Sequence, residues 1–160
     1  MAINIQILQR DGYDVVNFDG DIDAEAEVHL GQLLTKLGSK IIFNFKSVAS
    51  INSCGVRSWI NFLREVETKS PEILFEQCTP EVVMQINMIP SFKGSAKVSS
   101  VYGNFICDDC GEEKEELFTE GVNLPSGENI ELDSIACPSC GAEMELEEME
   151  DEFFAFLAAS

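Results

Sequence analysis

Two short turns, Cys107-Asp108-Asp109-Cys110-Gly111 and Cys137-Pro138-Ser139-Cys140-Gly141, constrain what this chain can fold into more than any other feature. Cysteines so spaced present both sulfurs from one tight loop, and the small Gly that follows lets backbone amides turn toward the thiolates. Two such loops supply four soft ligands that close a tetrahedral site. A set with no position left for water suits structural Zn²⁺ rather than a catalytic ion, so Cys107, Cys110, Cys137 and Cys140 are the candidate ligands of one zinc per chain. Chance is a poor account of two copies of the same turn. A pair of disulfides is the other reading. It is disfavoured because the N-terminus lacks the charged start, apolar run and small-residue cleavage site of a secretory signal, and because Cys54 and Cys78 are further thiols within apolar segments.

With 26 residues between them (111 to 136), the two turns resemble the knuckles of a zinc ribbon, which implies a small β module. They also resemble the knuckles of rubredoxin, where the same sulfur geometry holds redox-active iron, so a rubredoxin-like iron electron carrier is the alternative function. The apolar shell such an iron needs is thin here, with Phe105, Leu117 and Phe118 nearest in sequence. Charge narrows the partners. Residues 1–102 carry 12 acidic and 9 basic side chains, a net of −3, whereas residues 103–160 carry 17 acidic and one basic (Lys114), a net of −16. Phosphate backbones are bound by clustered cations that this chain lacks, so nucleic acid is excluded as a partner even though many ribbons read it. The step in composition marks a boundary near Tyr102-Gly103. No run of 18 or more apolar residues is present to span a membrane, and the expected setting is the cytoplasm.

The first hundred residues alternate strand and helix patterns. Ile3, Ile5 and Ile7 alternate with polar residues, Asp11-Gly12 supplies a two-residue turn, and Tyr13 to Phe18 continues apolar, which predicts a hairpin. Ala26, Leu30, Leu33, Leu34 and Leu37 form a helical stripe stopped by Gly38. Ile41 to Phe45 has the apolar, branched and aromatic content of a central strand. A second helix starts near Ser53 with Val56, Trp59, Ile60 and Leu63 on its core face. Ile73 to Phe75 is the next strand, Thr79-Pro80 opens a third helix that Pro90 ends, and Ala96 to Tyr102 reads as a last strand. The fold class is α/β: one mixed sheet with helices mainly on one face, plus a small zinc-ribbon β module.

The run Phe43-Asn44-Phe45-Lys46-Ser47-Val48-Ala49-Ser50-Ile51-Asn52-Ser53-Cys54-Gly55 resembles the signature of STAS domains (sulfate transporter and anti-sigma-factor antagonist), in which a buried strand leads through a short loop to an Asp-Ser-Ser/Thr-Gly turn opening a helix. Phe18-Asp19-Gly20-Asp21-Ile22-Asp23 is similar to the family's Gly-x-Leu/Ile-Asp turn. The resemblance covers residues 1–102 and implies a non-enzymatic regulatory module that binds another protein, such as a kinase-like regulator. It also implies that Ser53 is a candidate phospho-acceptor, with Asn52, Cys54 and Gly55 beside it as partner contacts. Asn52 and Asn44 stand where the family carries Asp, and Cys54 replaces its second Ser/Thr. Without the family, Ser53 reads as a helix N-cap and Cys54 as an inert core thiol.

Other candidates have plain readings. His29, the only histidine, sits on the first helix among polar positions and reads as solvent-facing, and without a second histidine, a Gly-x-Ser-x-Gly elbow or a Gly-rich phosphate loop no catalytic triad or nucleotide site can be assembled. Asp19, Asp21 and Asp23 could collect a hard cation but lack the calcium-loop spacing and read as turn chemistry, and Met84, Met88 and Phe92 read as core ahead of a contact patch. At the C-terminus, Met149, Phe153, Phe156 and Leu157 fall on one helical face after a run of acids. The expected organisation is 1–102 as the STAS-like domain, 103–147 as the ribbon, and 148–160 as a C-terminal helix packing back on the first domain.

Overall fold

Asp11 and Gly12 take positive φ (54° and 86°) and close the predicted turn, joining β1 (Asn4–Arg10) to β2 (Tyr13–Ile22) as an antiparallel hairpin in this computed structural model, which describes residues 3–125, 132 and 135–157. Helix α1 (Ala26–Leu34) buries Ala26, Leu30 and Leu33 and leads to β3 (Lys40–Ile51). That strand is longer than the apolar run Ile41 to Phe45 suggests, because register shifts opposite Asn17/Asp19 and Gly20/Ile22 let it follow β2 to its end. Helix α2 (Ser53–Lys69), β4 (Glu72–Glu76), α3 (Pro80–Met88), the short α4 (Pro90–Lys93) and β5 (Lys97–Val98) follow. The strands form one sheet in the order β1-β2-β3-β4-β5, antiparallel at the first pair and parallel elsewhere, so the fold is mixed α/β.

One face of this sheet holds the core. Trp59 of α2 is fully buried, makes ring contacts with Phe18, Phe43, Phe45 and Phe75 at centroid distances of 5.1–5.9 Å, and donates its indole N–H to the Phe92 carbonyl at 2.9 Å. On the opposite face Val15 and Ile42 are buried although they lie outside the core shared with the helices. Their cover is a polar strap. Arg10 at the end of β1 pairs with Glu76 on β4, and a bridge between those strands must cross β2 and β3, where Val15 and Ile42 sit. Glu76 also accepts from Asn44 Nδ2 at 2.7 Å, so its buried carboxylate is held from two sides.

The segment expected as one last strand, Ala96 to Tyr102, divides. β4 stops at Glu76, where Gln77 takes positive φ (51°), so the pairing with the first sheet runs out after Ser99, whose N–H still donates to the Phe75 carbonyl at 2.8 Å. β6 (Ser100–Ile106) instead pairs along its whole length with β7 (Glu113–Thr119), and β8 (Ile135–Ala136) and β9 (Glu143–Leu146) complete a second, antiparallel sheet in the order β7-β6-β9-β8. The two sheets meet at Cys78, which exchanges backbone hydrogen bonds with Ser100 and Tyr102. Helix α5 (Glu150–Phe153) and a 3₁₀ turn (Ala155–Leu157) then bury Phe153, Phe154 and Phe156. Residues 126–131, 133 and 134 of the inter-knuckle loop, and residues 158–160 of the C-terminal segment, lie outside the described residues.

Candidate metal centre

β6 delivers Cys107 and β8 delivers Cys137, each at the start of a tight turn that returns the chain to β7 or β9. The two turns are built alike. Cys107 N–H donates to the Glu112 carbonyl and Gly111 N–H to the Cys107 carbonyl, both at 2.8 Å; Cys137 and Gly141 repeat this with Ala142 and Cys137 at 2.7 and 2.9 Å. Gly111 and Gly141 both have φ 79°, a left-handed conformation that a side chain would strain.

The consequence is that all four sulfurs lie within 4.8 Å of one another, with Cys107–Cys140 and Cys110–Cys137 at 3.5 Å. A tetrahedron with metal–sulfur bonds of about 2.3 Å has edges of about 3.8 Å, so the cage fits a tetrahedral ion. None of the six cysteines is disulfide-bonded. Cys107 and Cys137 are buried, while Cys110 and Cys140 face outward.

The local amides prepare the site for thiolates. Burial raises the Cys137 thiol, but the Cys140 and Ser139 amides and the neighbouring thiols outweigh it and bring its pKa down to about 7. The Glu112 amide lowers Cys110, yet hydrogen bonding with Cys137, desolvation and the other two thiols push it up to about 12. A divalent cation bound among the sulfurs would favour the ionised form of each thiol it meets. Among the described residues no other group of His, Cys, Asp or Glu gathers at ligand distance. Asp19, Asp21 and Asp23 do not converge on one point. Asp23 Oδ1 instead accepts from the Glu25 amide at 3.0 Å, a turn contact.

The other sequence candidates sit on the first sheet, at the start of α2. Asn52, Ser53 and Cys54 are exposed and Gly55 is buried. The cap is not Ser53. Asn52 has the extended backbone of an N-cap (φ −100°, ψ 176°), and its Oδ1 accepts from Gly55 N–H at 2.8 Å, which leaves Ser53 as the first helical residue. Cys54 is likewise not a core thiol, because the second position of the helix faces outward; Cys78 is the buried one, and desolvation followed by the Glu76 carboxylate pushes its pKa well up. Met84 and Met88 also depart from the core reading and are 47% and 64% exposed, while Phe92 is fully buried. His29 is half-buried in a recess it shares with Ile5, Ile7 and Leu33.

Sequence reasoning missed the amide-rich side of the first sheet. Asn4, Gln6, Asn17, Asn44, Lys46 and Gln77 line a recess of about 250 Å³ beside the Arg10–Glu76 strap. The signal was present in the alternation of β1, whose polar positions are amides up to Gln6.

No family description matches the chain, and no curated protein does. Among solved structures, an anti-sigma factor antagonist from Mycobacterium paratuberculosis is similar with a TM-score of 0.49 and 16% identity, over 60% of this chain and 86% of that one. The anti-sigma factor antagonist SpoIIAA in its unphosphorylated form is similar with a TM-score of 0.42 and 18% identity, over 61% and 86%. At these values no residue role passes from either to this chain.

Proposed function

We propose that the chain is a non-enzymatic, cytoplasmic protein-interaction module: a STAS-like regulatory domain built on the first sheet, a zinc ribbon built on the second that binds one structural Zn²⁺, and a C-terminal segment packing back on the first domain. The observation that carries the metal assignment is the four-sulfur cage. Its geometry suits a tetrahedral ion, and four protein ligands leave no coordination position for a substrate. No helix among the described residues is long and apolar enough to cross a membrane.

Elemental analysis of freshly purified, untagged protein should find one zinc per chain, and Cys110→Ser with Cys140→Ser should abolish it. A red protein containing iron would replace this reading with the electron carrier. Because a closed structural site contributes folding energy directly, a chelator should remove hydrogen-exchange protection from β7 and β9 while the first sheet stays protected. Protection unchanged by the chelator would count against a structural ion.

The regulatory half of the reading rests on the exposed Asn52-Ser53-Cys54 turn and on the motif that contains it. Ser53 is solvent-facing at the first turn of a 17-residue helix, where unsatisfied N–H groups and the helix dipole favour an added phosphate. A phosphate there adds about two negative charges to a contact surface. Capture of a native partner, of the kinase-like regulator class, should survive Ser53→Ala and be lost with Ser53→Asp. Equal capture by both variants would show that this surface is not used in that way.

A further inference from the structure

We propose that the groove beside β9, along residues 143–150, is a docking site for a basic peptide segment carrying a large apolar anchor. This surface lies on the second sheet, apart from the α2 turn, and its partner chemistry can be read from its walls.

The recess holds about 380 Å³. Its apolar lining comes from Phe105 and Met144, which are buried, from Leu132 and Leu146, which are half-buried, and from Met149, which is 69% exposed. Methionine at the mouth of an apolar recess is unbranched and polarisable, so it adapts to whatever apolar side chain enters. Alongside this lining run the exposed residues Glu143, Glu145, Glu147, Glu148 and Glu150. Among the described residues, Glu145, Glu147, Glu148 and Glu150 form no ion pair, and the one cation of residues 103–160, Lys114, already pairs with Glu116 at 3.5 Å.

Two alternatives fail on charge and geometry. A nucleic acid would be repelled by this field. A divalent cation needs carboxylates gathered at ligand distance, and among the described residues no group of carboxylates gathers so. Separate carboxylates strung along an apolar recess instead match separate Lys or Arg side chains flanking an apolar anchor. The charges then steer the encounter and relieve part of the self-repulsion of a chain at −19, while the anchor sets the residence time.

The test uses the full, metal-loaded chain labelled at its methionine methyls, since Met1, Met84, Met88, Met144 and Met149 are five separate reporters. It is titrated with a short synthetic peptide in which lysines flank a central Phe-Leu pair, and with a twin of equal charge whose Phe and Leu are replaced by Ser. At about 0.15 M salt, where long-range attraction is largely screened, the Met144 and Met149 resonances should shift saturably while Met84 and Met88 stay still. The anchored peptide should bind at least about tenfold tighter than its twin, as expected for one buried aromatic anchor. Met149→Ser, at an exposed position, should lose most of that advantage, and Ser53→Asp should leave it intact. Equal affinity of the two peptides would overturn the proposal, because attraction to the acidic surface alone would then explain binding. Shifts confined to Met84 and Met88 would overturn it too, by placing the docking surface on α3.

Discussion

Where α2 begins, single residues decide the local geometry. Asn52 N–H donates to the Ile22 carbonyl at 3.2 Å, and this contact with the end of β2 holds Asn52 in the extended conformation from which its side chain can cap the helix. Asn52→Ala should therefore lower stability by about 1 kcal/mol, with Ser53→Ala near neutral, both read from urea unfolding. A costlier Ser53→Ala would reverse the assignment. Gly55 is fixed by space rather than by φ. A Cβ there would lie 1.8 Å from the Ile22 carbonyl oxygen, and that neighbour is backbone, which cannot swing aside. Gly55→Ala should cost about 3 kcal/mol or more, beyond ordinary overpacking. The sequence showed a turn opening a helix at this place. It could not show which of two adjacent capping residues takes the role, because Asn and Ser cap almost equally well and a contact 30 residues away in sequence makes the choice.

At the level of elements, the C-terminal segment shows how a period can mislead. Helical spacing over 149–157 puts Met149, Phe153, Phe156 and Leu157 on one face, but α5 is a single turn followed by a 3₁₀ turn, so the period changes midway. Met149 faces solvent, and Phe154 is the fully buried ring. Phe154 packs edge-on against Phe118 of β7 at 5.4 Å and against Phe153 at 4.9 Å, while Asn87 of α3 donates to the Glu152 and Phe153 carbonyls at 3.0 and 2.9 Å. The segment thus touches a helix beside the first sheet and a strand of the second. Phe154→Ala should cost about 3–5 kcal/mol, the usual range for a deleted buried ring, and lower the melting temperature. Removing residues 149–160 should do at least as much. An unchanged melting temperature in the truncated protein would mean that these contacts contribute nothing to the fold.

Over the whole molecule the dominant quantity is charge. A net of −19, most of it in residues 103–160, opposes compaction. Screening should relieve it, so raising NaCl should raise the melting temperature of the metal-saturated protein. Relief of about 1 kcal/mol corresponds to about 2–4 °C for a chain of this size. Calorimetry across a salt series checks this, and a flat or falling trend would mean that the acidic side chains are already neutralised or too far apart to matter.

The sequence by itself determined β1 to β4, α1 to α3 and the identity of the four thiols, because all depend on local patterns: alternation, helical spacing, and two cysteines in one five-residue turn. Tertiary structure decided what depends on distant partners. Ser100–Ile106 carries a strand pattern that fits either sheet, and it joined the second because β4 ends at Glu76 while β7 offers a full seven-residue register. Asn44, Glu76 and Arg10 are unremarkable polar residues along the chain, and only the folding of β1 to β4 into one sheet turns them into a strap over Val15 and Ile42. The cysteine spacing names two pairs of thiols; bringing the pairs to within 4.8 Å required β6, β8 and β9 to lie in one sheet, a long-range arrangement that no local pattern encodes.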